Sequence, residues 1–122
     1  MLLNNFFTIT AIQKTEQQIT TSIAINCDHE ILKGHFPQQA VVPGVCMVEM
    51  LKEVLQENLN QKLRMKSSSM IKFLTMFTPP EISTANFIIT IKTVEENQFQ
   101  IDANLSLEEK IFMKFKGIFV AI

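Results

Sequence analysis

A chain of 122 residues, 47% hydrophobic and 19% charged, can bury one compact core and has little room for a second, so one domain over residues 1–122 is expected. A net charge of −1 without a basic stripe argues against nucleic acid, and two cysteines outside CxxC spacing argue against a zinc site or disulfide framework. No run is long and apolar enough to cross a membrane, and Met1–Asn5 lacks the positive start and apolar run of a signal peptide; a cytoplasmic setting with reduced thiols is the default expectation.

The low charge content suggests apolar surface spent on a subunit interface. Phe7, Ile9 and Ala11 alternate with Thr8 and Thr10, as in a half-buried strand. After a polar turn, Ile19, Thr21, Ile23 and Ile25 alternate with Thr20, Ser22, Ala24 and Asn26 in a second. Asp28 to Pro43 is irregular, with two prolines and Gly34 that block a regular element. Gly44 opens a stretch of helical spacing: Val45, Val48, Glu49, Lys52, Leu55 and Leu59. Its first half, to Leu51, is apolar almost all round, and Lys52 to Lys62 is polar on most sides. This asymmetry predicts a helix enclosed at its start and solvated at its end.

Four strand-like runs follow: Met70 to Phe77, Phe87 to Lys92, Phe99 to Leu105 and Ile111 to Lys116. Short polar turns at Glu95-Glu96-Asn97 and Glu108-Glu109 imply an antiparallel meander. No linker or repeat interrupts the chain; Ser67-Ser68-Ser69 is its only biased tract. An α+β fold with one helix against a six-stranded antiparallel sheet packs these parts naturally.

The chemistry concentrates in residues 34–49. His35 sits in a proline-stiffened loop, where catalytic groups are often held. Glu49 falls in the first turns of the helix among Val45, Val48 and Met50, where burial would favour its protonated form. Pro43-Gly44 leaves the first N–H groups of the helix unpaired and able to donate to a developing oxyanion. A base, an acid and oxyanion donors suit proton abstraction beside a carbonyl followed by loss of a leaving group. Taken singly, each has an ordinary reading: a surface histidine, a carboxylate favoured by the helix dipole, and common punctuation before a helix.

Together the residues resemble the signature of the 3-hydroxyacyl-acyl-carrier-protein dehydratases. Gly34-His35-Phe36-Pro37 is followed by Val41-Val42-Pro43-Gly44, and Glu49 stands fourteen positions after His35, as the acid does in that family. Lys72-Phe73 followed by Pro79 resembles a second family block, and Asp28 to Lys33 resembles its lead-in. The chain departs from the pattern at Gln38, Ala40 and Pro80-Glu81.

The resemblance implies a hotdog fold, a sheet wrapped around one long central helix, paired into homodimers that some relatives assemble as trimers of dimers. It implies an active site shared between subunits. His35 of one would remove the proton next to the thioester carbonyl, Gly44 N–H would hold the oxyanion, and Glu49 of the other would protonate the departing hydroxyl. Phe36, Pro37, Val42, Met47, Phe73 and Phe77 would line the acyl tunnel. No metal or organic cofactor is implied, since the phosphopantetheine arm belongs to the substrate, carried by acyl carrier protein or coenzyme A. Lys33 and Lys72 are candidates for docking an acidic carrier; Lys62, Arg64 and Lys66 are read as solvated surface. His29 is read as a non-catalytic loop residue. Two rivals stay open: a hotdog thioesterase in which Glu49 activates water, and a non-catalytic acyl-binding or scaffold subunit.

Overall fold

The structure is a computed structural model and describes residues 1–33 and 39–122. Six strands, β1 (Phe7–Lys14), β2 (Ile19–Ile25), β3 (Leu63–Phe73), β4 (Thr84–Glu95), β5 (Gln98–Leu107) and β6 (Lys110–Ala121), form one antiparallel sheet in the order β1-β2-β4-β5-β6-β3. A 3-10 turn at Glu30–Lys33 and one long helix, α1 (Gly44–Leu59), stand between β2 and β3. This is the expected α+β arrangement.

The alternation read in β2 is realised: Thr21, Ile23 and Ile25 are buried. In β4 and β5, Phe87, Ile89, Ile101, Ala103 and Leu105 point into the same core. The helix meets them with Met47, Met50, Leu51, Val54 and Leu55. Each such side chain contributes about 1.5–3 kcal/mol by leaving water. Two-residue turns with Asn97 and Glu108 at positive φ close the β4–β5 and β5–β6 hairpins where the polar breaks fall.

Three details differ from the sequence reading. β3 begins at Leu63, not Met70, and runs through the serine tract with register irregularities between Met65 and Ser67 and between Ser68 and Met70. It is an edge strand paired only with β6, so most of its side chains stay exposed and no alternation marks it. The irregularity between Leu105 and Ser106 shifts the β6 register, so that Phe112 and Met113 are both buried instead of alternating. The helix start is not enclosed all round, since Val45 is 77% exposed.

The helix ends where Asn60 adopts the left-handed conformation and its N–H returns to the Gln56 carbonyl. The Gln56 side chain then accepts the Leu63 N–H at 2.9 Å and turns the chain into β3.

Candidate active site

The helix start is built by Pro43. As N-cap it is extended and has no side-chain hydrogen bond to offer. Its carbonyl accepts the N–H groups of Cys46 and Met47 at 3.0 and 3.2 Å. Among the described residues the N–H groups of Gly44 and Val45 have no acceptor. That leaves two donors at the positive end of the helix dipole, the arrangement an oxyanion requires.

Gly44 opens onto a groove of about 330 Å³ lined by Val41, Met47, Phe73, Leu74, Thr75 and Met76. The ring of Phe73 lies against the Gly44 α-carbon: a β-carbon there would stand 2.7 Å from Cζ. Only glycine lets the helix start and this ring come so close. Two of the proposed tunnel residues, Met47 and Phe73, therefore share the groove with the proposed oxyanion donor. Val42 and Phe77 do not front it. Both are buried in the core, joined by the Val42 N–H donating to the Phe77 carbonyl at 2.8 Å, and Phe77 stacks on Phe112 with ring centres 4.5 Å apart. His35, Phe36 and Pro37 lie outside the described residues.

Glu49 faces a different cleft, of about 370 Å³, with Val45, Val48, Lys52, Arg64, Met65 and Phe119. On an ideal helix, five residues separate Gly44 and Glu49 by roughly 140° around the axis and about 7.5 Å along it. One chain thus presents an oxyanion donor on one side of its helix and a carboxyl on another. Glu49 Oε1 pairs with Lys52 Nζ at 3.1 Å. Although its side chain is 40% exposed, burial of its inner part pushes its pKa up from the ordinary glutamate range. A hydrogen bond with Glu53 adds to the rise, and Lys52 opposes it. The nearby Cys46 thiol is also pushed up, by burial and then by the Glu49 charge.

Glu53 was not legible as a special residue, because it falls in the polar half of the helix pattern. It is nevertheless buried, and its two oxygens accept the N–H groups of Leu2 and Leu3 at 3.1 and 2.7 Å. The only signal in the sequence was its spacing of four from Glu49, which puts both carboxyls on one helix face. Lys52, three from Glu49, carried the same kind of signal.

His29 acts locally. Its Nδ1 accepts the Ile31 N–H at 3.1 Å, and its ring meets Phe6 edge-on. Lys33 is exposed at the end of the 3-10 turn, and Lys72 is exposed on β3 directly opposite Lys114 of β6. Among the described residues no three His, Cys, Asp or Glu side chains gather as a metal site, and no helix is long and apolar enough to cross a membrane.

The chain belongs to the ApeI-like dehydratase family, whose model, described as ApeI dehydratase, matches residues 11–113. No curated protein sequence matches it. Among solved structures it is similar to the dehydratase heterocomplex ApeI:P from Xenorhabdus doucetiae, with 18% identity, 88% of this chain and 91% of that chain covered, and a TM-score of 0.68. It is also similar in fold to a mutant thioesterase from Pseudomonas aeruginosa, at 11% identity over 95% and 81% of the two chains and a TM-score of 0.64. A thioesterase from Haemophilus influenzae gives 15% identity over 95% and 78%, with a TM-score of 0.63. The six-stranded antiparallel sheet with its one helix is thus the hotdog fold, and the expected membership of a hotdog dehydratase family holds.

Proposed function

We propose that the protein converts a 3-hydroxyacyl thioester to the trans-2-enoyl thioester. The observation that carries this reading is the placement of Gly44 and Glu49 on different sides of one helix. A pair of chains can bring the helix start of one opposite the carboxyl of the other, which a single chain does not do. At such a site neutral His35 takes the proton from the carbon next to the carbonyl. The Gly44 N–H holds the negative charge that develops on the carbonyl oxygen. Glu49, protonated, delivers its proton to the 3-hydroxyl, which departs as water. No cofactor enters these steps. The acyl chain lies along the apolar groove beside Met47 and Phe73, and the phosphopantetheine arm enters past Lys33 and Lys72, whose charge suits an acidic carrier protein and the phosphates of coenzyme A alike.

The raised pKa of Glu49 supports the acid role. The Lys52 ion pair supports the second reading, thioester hydrolysis, because it favours the ionised form that would activate water. We take the second subunit to be another copy of the chain. The likeness to a heterocomplex raises the alternative of a different dehydratase subunit, which would leave the purified chain without activity of its own. The test is to supply 3-hydroxyacyl thioesters of several chain lengths on carrier protein and on coenzyme A, and to follow enoyl formation and free thiol together. Enoyl product without thiol release supports dehydration. Thiol release as the main product overturns it in favour of the thioesterase.

A further inference from the structure

We propose that Lys52 is a positioning residue that holds the Glu49 carboxyl in its cleft and receives the charge Glu49 acquires as it gives up its proton. This deepens the dehydratase reading and rests on it for its catalytic meaning. Lys52 Nζ stands 3.1 Å from Glu49 Oε1. Three residues along an ideal helix separate the two by roughly 60° around the axis and about 4.5 Å along it, so the lysine reaches back toward the helix start to make this contact. On an open helix surface a pair at this spacing would be ordinary and worth little. Here both partners line the cleft of about 370 Å³, whose other walls are the apolar Val45, Val48, Met65 and Phe119, with Arg64 on β3. Their side chains are 32% and 40% exposed, so neither is fully solvated, and the apolar walls strengthen the attraction.

An acid that protonates a leaving hydroxyl ends the step as a carboxylate. The proton passes from Glu49 to the 3-hydroxyl oxygen, the bond from that oxygen to C3 breaks, and water departs; the negative charge stays on the carboxyl. An ammonium already in contact, which can only donate, stabilises that charge as it develops and has no need to reorganise. The same contact limits where the carboxyl can point. The ion pair that favours ionised Glu49 thus serves the acid step too, because a proton that is too tightly held is transferred slowly. Among the described residues, the charged and titratable groups around Glu49 are Cys46, Lys52 and Glu53 on α1 and Arg64 on β3. Glu53 is occupied by the N–H groups of Leu2 and Leu3. Arg64 lines the cleft but forms no ion pair among the described residues. Lys52 is the cation in contact with the carboxyl.

The experiment compares wild type, Lys52→Met, Lys52→Arg and Arg64→Met in two ways: the pH profile of enoyl formation, and a carboxyl-carbon NMR titration of Glu49 in the full chain. Methionine keeps most of the aliphatic stem and removes the charge. Without the cation the carboxyl holds its proton to higher pH. The Glu49 midpoint and the alkaline limb of kcat/KM should therefore both rise, by about half a pH unit. On the acid side of that limb kcat should fall by about three- to tenfold with little change in KM. Lys52→Arg should restore all three, and Arg64→Met should move them less. A midpoint and limb that stay put in folded Lys52→Met overturn the proposal. So does a loss that Lys52→Arg fails to recover, which would mark a packing role, or a larger shift in Arg64→Met than in Lys52→Met. The titration needs no substrate. A midpoint that rises while wild type forms no enoyl product would leave the pair standing and remove the dehydratase reading, whereas enoyl formation with an unmoved midpoint would do the reverse.

Discussion

The ring of Phe73 on β3 lies over the α-carbon of Gly44 at the start of α1, leaving no room for a β-carbon. Gly44→Ala should therefore be tolerated by the fold and not by the site. Phe73 is 51% exposed and can swing aside, and alanine is the better helix former by about 1 kcal/mol. The displaced ring would disturb the groove in front of the oxyanion donor, and a misplacement on the scale of 1 Å costs about 10²-fold in turnover. Adding Phe73→Ala should recover part of that loss. Wild-type turnover in Gly44→Ala would mean the groove is not where the thioester binds.

Glu49→Gln should lower dehydration by on the order of 10²–10⁴. Its effect on stability carries a sign that can be checked without substrate. The folded chain holds the Glu49 proton more tightly than the unfolded chain does. The stability this contributes is present below the ordinary glutamate pKa and is lost as pH rises through the raised one. Glutamine does not titrate. Wild type should thus lose stability relative to the variant as pH rises above the ordinary glutamate range in urea titrations. A wild-type advantage that grows with pH would contradict the raised pKa.

Phe77 and Phe73 share the second motif block but play different parts. Phe77→Ala removes a fully buried ring stacked on Phe112 and should cost about 3–5 kcal/mol in a denaturant titration. Phe73→Ala should cost under about 1.5 kcal/mol and act mainly on the KM for longer acyl chains. If the two variants lost equal stability, Phe73 would be core and not groove.

What the sequence made legible follows from which faces are covered. Strands β2, β4 and β5 have neighbours on both sides and one buried face, so period two survives in their residues. The start of β3 was hidden because an edge strand with bulges buries little beyond Leu63. The candidate site was legible as a spacing, with His35, Gly44 and Glu49 in a recognisable order. That Gly44 and Glu49 face different clefts needed the helix geometry. The role of Glu53 needed more, because its partners are backbone groups some fifty residues away that no side-chain pattern records.

The exposed apolar residues Ile71, Leu74 and Met76 lie on and after the free edge of the sheet at β3. Such an edge invites a second strand. A double variant, Ile71→Asp with Met76→Asp, should sediment at about half the mass of wild type and lose dehydration while keeping its secondary structure. A wild-type chain that is a monomer and fully active would remove the shared site.

The central claim, dehydration at a site built by two subunits, is tested most directly by mixing inactive variants. His35→Ala and Glu49→Gln are unfolded together, refolded as a mixture, and assayed for enoyl thioester formation. Random pairing gives mixed dimers with one intact site each, so activity should return to roughly a quarter of the wild-type value. Activity no greater than the sum of the two separate variants, with mixed dimers present and wild type active alongside, would contradict the account.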